Sequence, residues 1–391
     1  MDIKQIDKQY VANTYARFDL CLVRGNGSLV YDEMGKEYID LGTGIAVNAF
    51  GVNDEAWKNA VIEQLNKIQH TSNLYYSEPC ALLAKTLCER TGLKKVFFSN
   101  SGAEANECAI KAARKYGEIK KGKEHNVIVT LKNSFHGRTI TTLSATGQDV
   151  FHEHFTPMTA GFAHATANDF DEMQTLVKTH KCCAIMIELV QGEGGVMALD
   201  KAYVKKIETL ARENDLLLMV DEVQTGNGRT GSLYAYMGYG ISPDVVTTAK
   251  GLGGGLPIGA TMLGERTENL FTPGLNGSTF GGNPVCAAGA LSVLERIDDE
   301  LLKEVNEKSE YIFSELSGAK GVKSVSGLGL MLGVECERDA GEVIAACRER
   351  GVLVIKAKHK VRLLPALNIP FEQLKKAIKI LKEECGKTCI Y

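Results

Sequence analysis

The stretch VVTTAKGLGGGLPIGA, from Val245 to Ala260, joins an apolar β-branched run to four glycines within five positions. The run is typical of a buried strand, and Lys250, its one charged residue, stands at the end of it. A lysine in that position either forms a structural ion pair or is desolvated and able to form a Schiff base. The residues that other strands place beside it decide between these two interpretations.

Three further segments have the same apolar character as the run before Lys250. Short runs without polar alternation are typical of parallel strands covered on both faces. The four runs are NVIVTL from Asn126, AIMIEL from Ala184, LLLMVDEV from Leu216 and DVVTTA from Asp244. Helical stretches, 105–116 and 201–214 among them, separate several of these runs. Strands that alternate with helices predict an α/β sheet with helices on both sides.

After Asn283 the pattern changes to amphipathic helices, PVCAAGALSVLERI and FEQLKKAIKILKEE, with short strand-like pieces between them. This pattern predicts a smaller α+β domain. The N-terminal stretch LVRGNGSLVYDEMGKEYIDL is hairpin-like, with Gly35 and Lys36 in a tight turn, and is expected to join that domain. We therefore predict a large domain at 48–285 and a small domain formed by 1–47 and 286–391.

The composition excludes several classes of protein. The chain has 391 residues, 44% of them hydrophobic and 24% charged, with a formal net charge of −3. It has no basic excess for nucleic acid or anionic membranes, no run approaching the roughly 20 apolar residues of a membrane span, and no secretory signal. The eleven cysteines are too sparse for a disulfide scaffold. We expect a cytoplasmic protein with neither nucleic-acid nor membrane partners.

No metal site is predicted. The pairs Cys182–Cys183 and Cys385–Cys389 lack companions at zinc-site spacing, and His152 and His154 have no acidic or histidine partners at helical spacing. The two histidines are better explained as a solvated or structural pair.

Chemically distinctive residues follow three of the predicted strands. Asp221 and Glu222 close the Leu216 strand, Lys250 closes the Asp244 strand, and Glu188 and Glu193 follow the Ala184 strand. Ligands of open α/β sheets bind at the carboxyl ends of the strands. The alternation of side chains places Asp221 on one face and Glu222 on the other.

The segment VFFSNSGAEANECAIKAARKYG adds an anion site. Its apolar run leads through Ser101 and Gly102 into a helix whose first N–H groups are free to hold an anion; a plain helix N-cap is the alternative. Pyridoxal phosphate needs an anion cradle, a lysine for its aldehyde and a carboxylate that keeps its pyridine nitrogen protonated. The sequence offers all three.

A competing motif is present but poorly placed. Gly226, Gly228 and Gly231 spell G-x-G-x-x-G after an apolar strand, as in dinucleotide-binding sites. Asp221 and Glu222 stand just before it and would repel a pyrophosphate, and the following SLYAYMGYG is a poor helix start. A nicotinamide site is therefore disfavoured.

Six ordered blocks carry a family resemblance: SNSGAEANE, FHGRT, VQGEGG, DEVQTGNGRTG, TTAKGLGGGLPIGA and GSTFGGNP. Together they resemble the class III pyridoxal-phosphate-dependent aminotransferases of fold type I, over a match from about Ala12 to Glu384. The resemblance implies a large domain with a mostly parallel seven-stranded sheet and a smaller α+β domain. It also implies a homodimer with shared active sites.

The resemblance assigns roles to residues of the matching blocks. Lys250 resembles the Schiff-base lysine, and Asp221 the carboxylate on the pyridine nitrogen. The other cofactor contacts it implies are Ser101, Gly102 and Ala103 at the phosphate, Phe135 and Val223 on the two ring faces, Gln224 near the ring hydroxyl, Glu188, and Thr279 reaching the phosphate from the partner subunit. His136, beside Phe135, has no certain role and is read as a supporting or core histidine.

For the substrate, the resemblance implies two carboxylate-binding arginines, Arg138 and Arg362. Glu193 resembles a gate that pairs with the second arginine and releases it for an α-keto acid. Ser278 resembles a substrate contact from the partner chain. Which arginine holds which carboxylate is not fixed by the sequence.

Two segments, GTGIAVNAFG and HTSNLYY, are most similar to family members that transfer the δ-amino group of N2-acetyl-L-ornithine to 2-oxoglutarate in arginine biosynthesis. Members acting on free ornithine usually carry a tyrosine at the position of Gly44, whereas glycine leaves room for an acyl group. N-succinyl-diaminopimelate is a further possible donor. Succinylornithine, ornithine or 4-aminobutyrate as the donor, and a non-catalytic cofactor-binding module, are the alternatives.

The chain departs from the family pattern at two places. GVNDEAWKNA replaces a histidine-containing segment after the Gly44 block, and Ala103 replaces the commoner threonine of the phosphate cradle. The first departure lies in the loop near the entrance of the site. The second removes a hydroxyl from the phosphate cradle and therefore bears on affinity for the cofactor.

Overall fold

The structure is a computed structural model that describes residues 2–387. Met1 and 388–391, which hold Cys389 and the end of the predicted small domain, lie outside it. The strands, in chain order, are β1 (Leu22–Asn26), β2 (Leu29–Asp32), β3 (Glu37–Asp40), β4 (Lys95–Ser99), β5 (Val127–Leu131), β6 (Phe162–Ala165), β7 (Cys182–Ile187), β8 (Val190–Gln191), β9 (Met197–Ala198), β10 (Leu217–Asp221), β11 (Val245–Thr248), β12 (Gly259–Leu263), β13 (Val322–Leu328), β14 (Met331–Cys336), β15 (Val352–Leu353), β16 (Ile355–Ala357) and β17 (Lys360–Leu363).

Helices fill most of the connections between these strands. They are α1 (Ile3–Tyr10), α2 (Thr43–Ala46), α3 (Glu55–Lys67), α4 (Glu78–Thr91), α5 (Gly102–Lys121), α6 (Ile140–Ala145), α7 (Phe170–Thr179), α8 (Lys201–Glu213), α9 (Ala235–Tyr239), α10 (Pro284–Leu294), α11 (Asp299–Leu316), α12 (Ala340–Glu349) and α13 (Phe371–Cys385). Two short 3₁₀ turns cover Asp149–Phe151 and Lys250–Leu252. No helix between residues 2 and 387 is long and apolar enough to cross a membrane.

The largest sheet has seven strands in the order β4-β12-β11-β10-β7-β5-β6. All neighbouring pairs are parallel except those of β12, which runs antiparallel to both β4 and β11. The four apolar runs predicted as strands form β5, β7, β10 and β11 of this sheet, so the predicted mostly parallel α/β architecture is confirmed. Every residue of β7, β10 and β11 is buried, which is the reason their sequences lack polar alternation.

Helix α5 lies against this sheet and starts at the edge where the site forms. Its buried face is rich in alanine (Ala105, Ala109, Ala112 and Ala113), and such short side chains allow the helix to approach the strands closely. One polar residue, Asn106, is buried on the same helix.

Two smaller sheets combine segments that are distant in sequence. The order β1-β2-β3-β15 joins the N-terminal hairpin to residues after 350, and β13-β14-β17-β16 forms a C-terminal sheet. Gly35 stands in the predicted hairpin turn with φ 83°, in the left-handed region that favours glycine. The boundaries 48–285, 1–47 and 286–391 stay a prediction.

The G-x-G-x-x-G segment, in the loop after β10, packs against α11 and against turns of the C-terminal part of the chain. A Cβ added to Gly228 would lie 3.1 Å from a methyl of Leu367, and one added to Gly231 would lie 2.0 Å from Oδ1 of Asn306. Arg229, within this segment, is buried and donates from Nη1 to the carbonyls of Leu330 (3.2 Å) and Pro365 (2.5 Å).

We expect Arg229→Ala to lower the free energy of unfolding by about 3 kcal/mol, because it leaves a cavity and two buried carbonyls without a donor. Thermal unfolding with matched denaturant titration measures the change. Arg17→Ala, which removes an exposed ion pair with Asp7, is the control and should change stability by less than about 1 kcal/mol. Equal stability of the two variants would contradict the role of Arg229.

Candidate active site

A cavity of about 430 Å³ opens at the carboxyl ends of β10, β7 and β11. Its walls contain most of the residues predicted from the sequence: Ser101, Gly102, Ala103, Phe135, Arg138, Glu188, Asp221, Val223, Gln224 and Lys250. The wall is completed by Val47, Asn100, Asn106, His136, Gly137, Ala249 and the segment 255–258. The volume suits a small cofactor with part of a substrate.

Lys250 follows the end of β11 and opens a 3₁₀ turn in a left-handed conformation, with φ 44°. Burial lowers the pKa of its ammonium group, and the nearby carboxylate of Glu193 offsets this only in part. Among residues 2–387, Lys250 forms no salt bridge, so the structural ion pair considered from the sequence is not seen. Lys250 is a desolvated amine facing a cavity.

Asp221, the last residue of β10, presents a buried carboxylate held by three donors. Asn106 Nδ2 donates to Oδ2 at 2.8 Å, the backbone N–H of Val223 donates to Oδ1 at 3.0 Å, and His136 Nδ1 lies 2.8 Å from Oδ2. These bonds fix the direction of the carboxylate. They also give this buried carboxylate the hydrogen bonds that it would otherwise lose on leaving water.

Asn106 is a site residue that the sequence analysis missed. Its amide donates to the carbonyl of His136 at 2.7 Å as well as to Asp221, and its Oδ1 accepts from Thr247 Oγ1 at 2.7 Å. The indication that the sequence offered was a single amide side chain, Asn106, on a helix face otherwise rich in alanine. His136, which had no certain role from the sequence, is the buried partner of Asp221.

The start of α5 faces the same cavity. Ser101 is the N-cap, and its hydroxyl accepts from the N–H of Glu104 at 3.2 Å, so the plain cap is present. The N–H groups of Gly102 and Ala103 have no acceptor within the helix and point to its N-terminal end. A Cβ on Gly102 would lie 2.6 Å from Val223, so only glycine allows this close approach.

Glu188 is a second buried carboxyl group in the wall. Its Oε2 accepts from the backbone N–H of Phe135 at 2.9 Å. Burial, and after it the negative charge of Asp221, raises the pKa of Glu188 well above its usual value. Two carboxylates in one dry cavity do not both ionise readily, and the raised pKa favours the protonated form of Glu188.

Arg362 lies on β17 and is buried at 3% exposure, with its side chain directed to this site. Its Nη1 donates to Glu193 Oε1 at 2.6 Å and to Gln224 Oε1 at 3.1 Å. Glu193 retains 29% of its side-chain exposure. A buried arginine is thus paired with a partly exposed carboxylate.

Arg138 differs from Arg362 because it is exposed and forms no salt bridge among residues 2–387. Its guanidinium carbon lies 5.4 Å from the ring centre of Phe135. Ser278 and Thr279 do not line the cavity of their own chain. Thr279 is exposed, and Ser278 Oγ accepts from Asn100 Nδ2 at 3.2 Å.

The residues present fit pyridoxal phosphate. The N-terminal end of α5, where a side chain at Gly102 would not fit, suits the phosphate. The hydrogen-bonded carboxylate of Asp221 suits the protonated ring nitrogen, and the amine of Lys250 suits the aldehyde. No group of three or more His, Cys, Asp or Glu able to hold a metal ion occurs between residues 2 and 387. The fold and the site define a pyridoxal-phosphate-dependent enzyme of fold type I.

The chain belongs to the class III aminotransferases, whose family model matches residues 10–384. It is 50% identical to the acetylornithine aminotransferase of Haemophilus ducreyi over 97% of this chain and 98% of that one, and 44% identical to the acetylornithine aminotransferase of Aquifex aeolicus over 96% and 99%. Among solved structures, the N-acetylornithine aminotransferase of Stenotrophomonas maltophilia matches with a TM-score of 0.84 and 34% identity over 97% of each chain. The ornithine aminotransferase of Toxoplasma gondii matches with a TM-score of 0.94 and 29% identity, covering 98% of this chain and 94% of that one. The prediction of a class III aminotransferase is confirmed.

We expect Lys250, in cofactor-free protein, to react with formaldehyde and borohydride at a lower pH than an exposed lysine. Its lowered pKa means that the neutral, nucleophilic amine is populated at lower pH. Peptide mass spectrometry of labelling rates against pH measures this, with exposed Lys320 as the reference. A Lys250 profile at or above that of Lys320 would contradict the desolvation argument.

Proposed function

We propose that this chain is an acetylornithine aminotransferase, which transfers the δ-amino group of N2-acetyl-L-ornithine to 2-oxoglutarate in arginine biosynthesis. The observation that carries the proposal is the near full-length identity to curated enzymes of that name. N-succinyl-diaminopimelate presents a similar acylated amino acid and is a further expected donor. The Arg362–Glu193 pair beside the buried Lys250 supports a reaction with two different carboxylate-bearing substrates.

Pyridoxal phosphate, when bound, supplies an aldehyde that captures amines and a conjugated ring that withdraws electrons from the reacting carbon. The N–H groups of Gly102 and Ala103 would hold its phosphate, with Ser101 shaping the helix start and the partner subunit's Thr279 adding a hydroxyl. Phe135 and Val223 would enclose the ring. Gln224 and the protonated Glu188 would lie toward the ring hydroxyl.

Asp221 would keep a proton on the ring nitrogen. Its carboxylate is already oriented by Asn106 and His136, so little reorganisation is needed when a cation arrives. Lys250 Nζ is the group that removes a proton from the substrate carbon and returns one. Because burial lowers the pKa of this amine, its neutral form is available as a base.

The two arginines divide the work of binding carboxylates. Arg138, free of protein carboxylates, is available to every substrate. Arg362 is masked by Glu193 until a second carboxylate enters. We assign Arg362 to 2-oxoglutarate and Arg138 to the carboxylate of the acylated donor. 2-Oxoglutarate has a second carboxylate that can displace Glu193 from Arg362, whereas the single carboxylate of the donor is already bound by Arg138.

Gly44 supports the choice of an acylated donor. It lies three residues before Val47 of the cavity wall, and a Cβ built on it would meet nothing closer than 3.7 Å. The space at this position is therefore open, as an acyl group requires.

The expected assembly is a homodimer in the cytoplasm with Ser278 and Thr279 serving the neighbouring site. The position of both residues outside the cavity of their own chain supports this. An isologous interface would give each protomer both contributions.

We expect the cofactor-loaded enzyme to react with N-acetylornithine much faster than with ornithine, succinylornithine or 4-aminobutyrate. Each donor is mixed alone with the enzyme, and the loss of cofactor absorbance is followed by stopped flow. A preference for free ornithine or 4-aminobutyrate would overturn the substrate assignment and leave the aminotransferase class intact.

The matched variant for this experiment is Gly44→Tyr, which fills the open space. It should slow the reaction with N-acetylornithine more than the reaction with ornithine. Equal slowing of both donors would show that residue 44 affects folding or cofactor binding rather than the choice of donor.

We expect Arg362→Lys to slow the reaction of the aminated enzyme with 2-oxoglutarate by about 100-fold, because a bidentate charged contact is lost. The reaction with N-acetylornithine should change by less than about fivefold, because Arg138 binds that donor. Single-turnover measurements of the two half-reactions separate the effects, with Lys356→Met as a control on the neighbouring strand β16. A larger loss with the donor would reverse the assignment of the two arginines.

A further inference from the structure

Phe151 lies outside the wall of the cavity, at the end of the 3₁₀ turn Asp149–Phe151, yet its ring contacts two residues of the site. It meets Phe135 edge-on, with ring centres 5.8 Å apart and planes at 80°. The guanidinium carbon of Arg138 lies over the Phe151 ring, 4.1 Å from its centre. This is shorter than the 5.4 Å from Arg138 to Phe135, so Phe151 is the main aromatic support of that arginine.

The turn that carries Phe151 is fixed on both sides. Before it, Gln148 Nε2 donates to the carbonyl of Ser134 at 2.9 Å, and the N–H of Gly147 donates to Ser134 Oγ at 3.0 Å. These bonds tie the turn to the loop that carries Phe135 and Arg138.

After the turn, His152 Nε2 lies 2.9 Å from the carbonyl of Leu143 and 2.8 Å from that of Thr146, at the end of α6. His152, considered from the sequence as one of a structural pair, is thus an anchor for the residue before it. Phe151 is held in place independently of any ligand.

Arg138 has no comparable anchor of its own. It is exposed, and no salt bridge or side-chain hydrogen bond holds it to another part of residues 2–387. A long arginine side chain left free would lose rotamer entropy when a carboxylate binds. Packing of the guanidinium face on an aromatic ring restricts the side chain, while the N–H donors lie in the guanidinium plane and stay available.

We propose that Phe151 is a positioning residue for substrate binding: it holds the Arg138 guanidinium at the mouth of the cavity, ready to receive a substrate carboxylate. The proposal rests on the proposed function, in which Arg138 binds that carboxylate. It makes Phe151 a determinant of affinity for carboxylate-bearing substrates and not of the chemical step.

The test uses the cofactor-loaded enzyme and a double-mutant cycle of Phe151→Leu with Arg138→Met. Phe151→Leu should raise KM for the carboxylate-bearing donor about fivefold, the loss expected for a partly exposed cation–π contact, with kcat within about twofold. In the Arg138→Met background the same substitution should have no further effect. Phe151→Tyr keeps the ring and should restore KM, and Phe155→Leu, an exposed aromatic of the same loop, should change nothing.

Three results would overturn the proposal: an unchanged KM in Phe151→Leu, equal effects of that substitution in both backgrounds, or a loss confined to kcat. A change in the visible circular dichroism of the cofactor equal to that of Phe135→Leu would also overturn it, because the ring would then act through Phe135. Failure of this proposal and failure of the proposed function give different experimental results. If another donor proves to be preferred, the cycle is run with that donor, and dependence of its KM on Arg138 shows whether the carboxylate contact exists.

Discussion

The buried carboxylate of Asp221 is the constraint on which the rest of the site depends. An ionised acid at the centre of a sheet is tolerated only when donors surround it, and here they come from separate elements. Asn106 arrives from α5, His136 from the loop after β5, and Thr247 of β11 orients Asn106. The strand order that places β11 beside β10, with α5 packed on both, is what makes this carboxylate possible.

Burial sets the direction of the pKa shifts of two neighbours of Asp221. Burial, and after it the negative charge of Asp221, raises the pKa of Glu188 and so favours its protonated form. Lys250, with its pKa lowered by the same burial, is more readily neutral. Both shifts favour the uncharged forms of these side chains beside the carboxylate of Asp221, and the helix start is left for the phosphate of an anionic cofactor.

Local sequence patterns predicted several strands of the large sheet and two charged residues of the cavity. The apolar runs identified β5, β7, β10 and β11, and Lys250 and Asp221 stood out because charged residues rarely end such runs. Asn106 and the pairing of His136 were not predictable, because their roles exist only once helix and strands are packed. The reversed direction of β12 also depends on the long-range pairing with β4. The domain boundaries and the roles of individual site residues stay predictions.

The resemblance assigns the segment around Gly44 to the choice of amino donor, which stays a prediction, and the sequence does not indicate the conformation of this segment. Thr43, Gly44, Ile45 and Ala46 all have positive φ, at 46°, 63°, 65° and 61°. Consecutive left-handed residues with side chains cost about 1–2 kcal/mol each, and most for the β-branched Thr43 and Ile45.

Three hydrogen bonds offset this strain. The carboxylate of Asp40 accepts from the N–H groups of Gly42 at 2.8 Å and Thr43 at 3.0 Å, and Thr43 Oγ1 donates to the carbonyl of Leu364 at 2.6 Å. Leu364 follows Arg362 by two residues, so this turn is hydrogen-bonded to the residue just after β17, the strand that carries Arg362. Under the proposed function, the hydrogen bond from Thr43 links the segment assigned to the amino donor with the strand whose arginine is assigned to the keto acid.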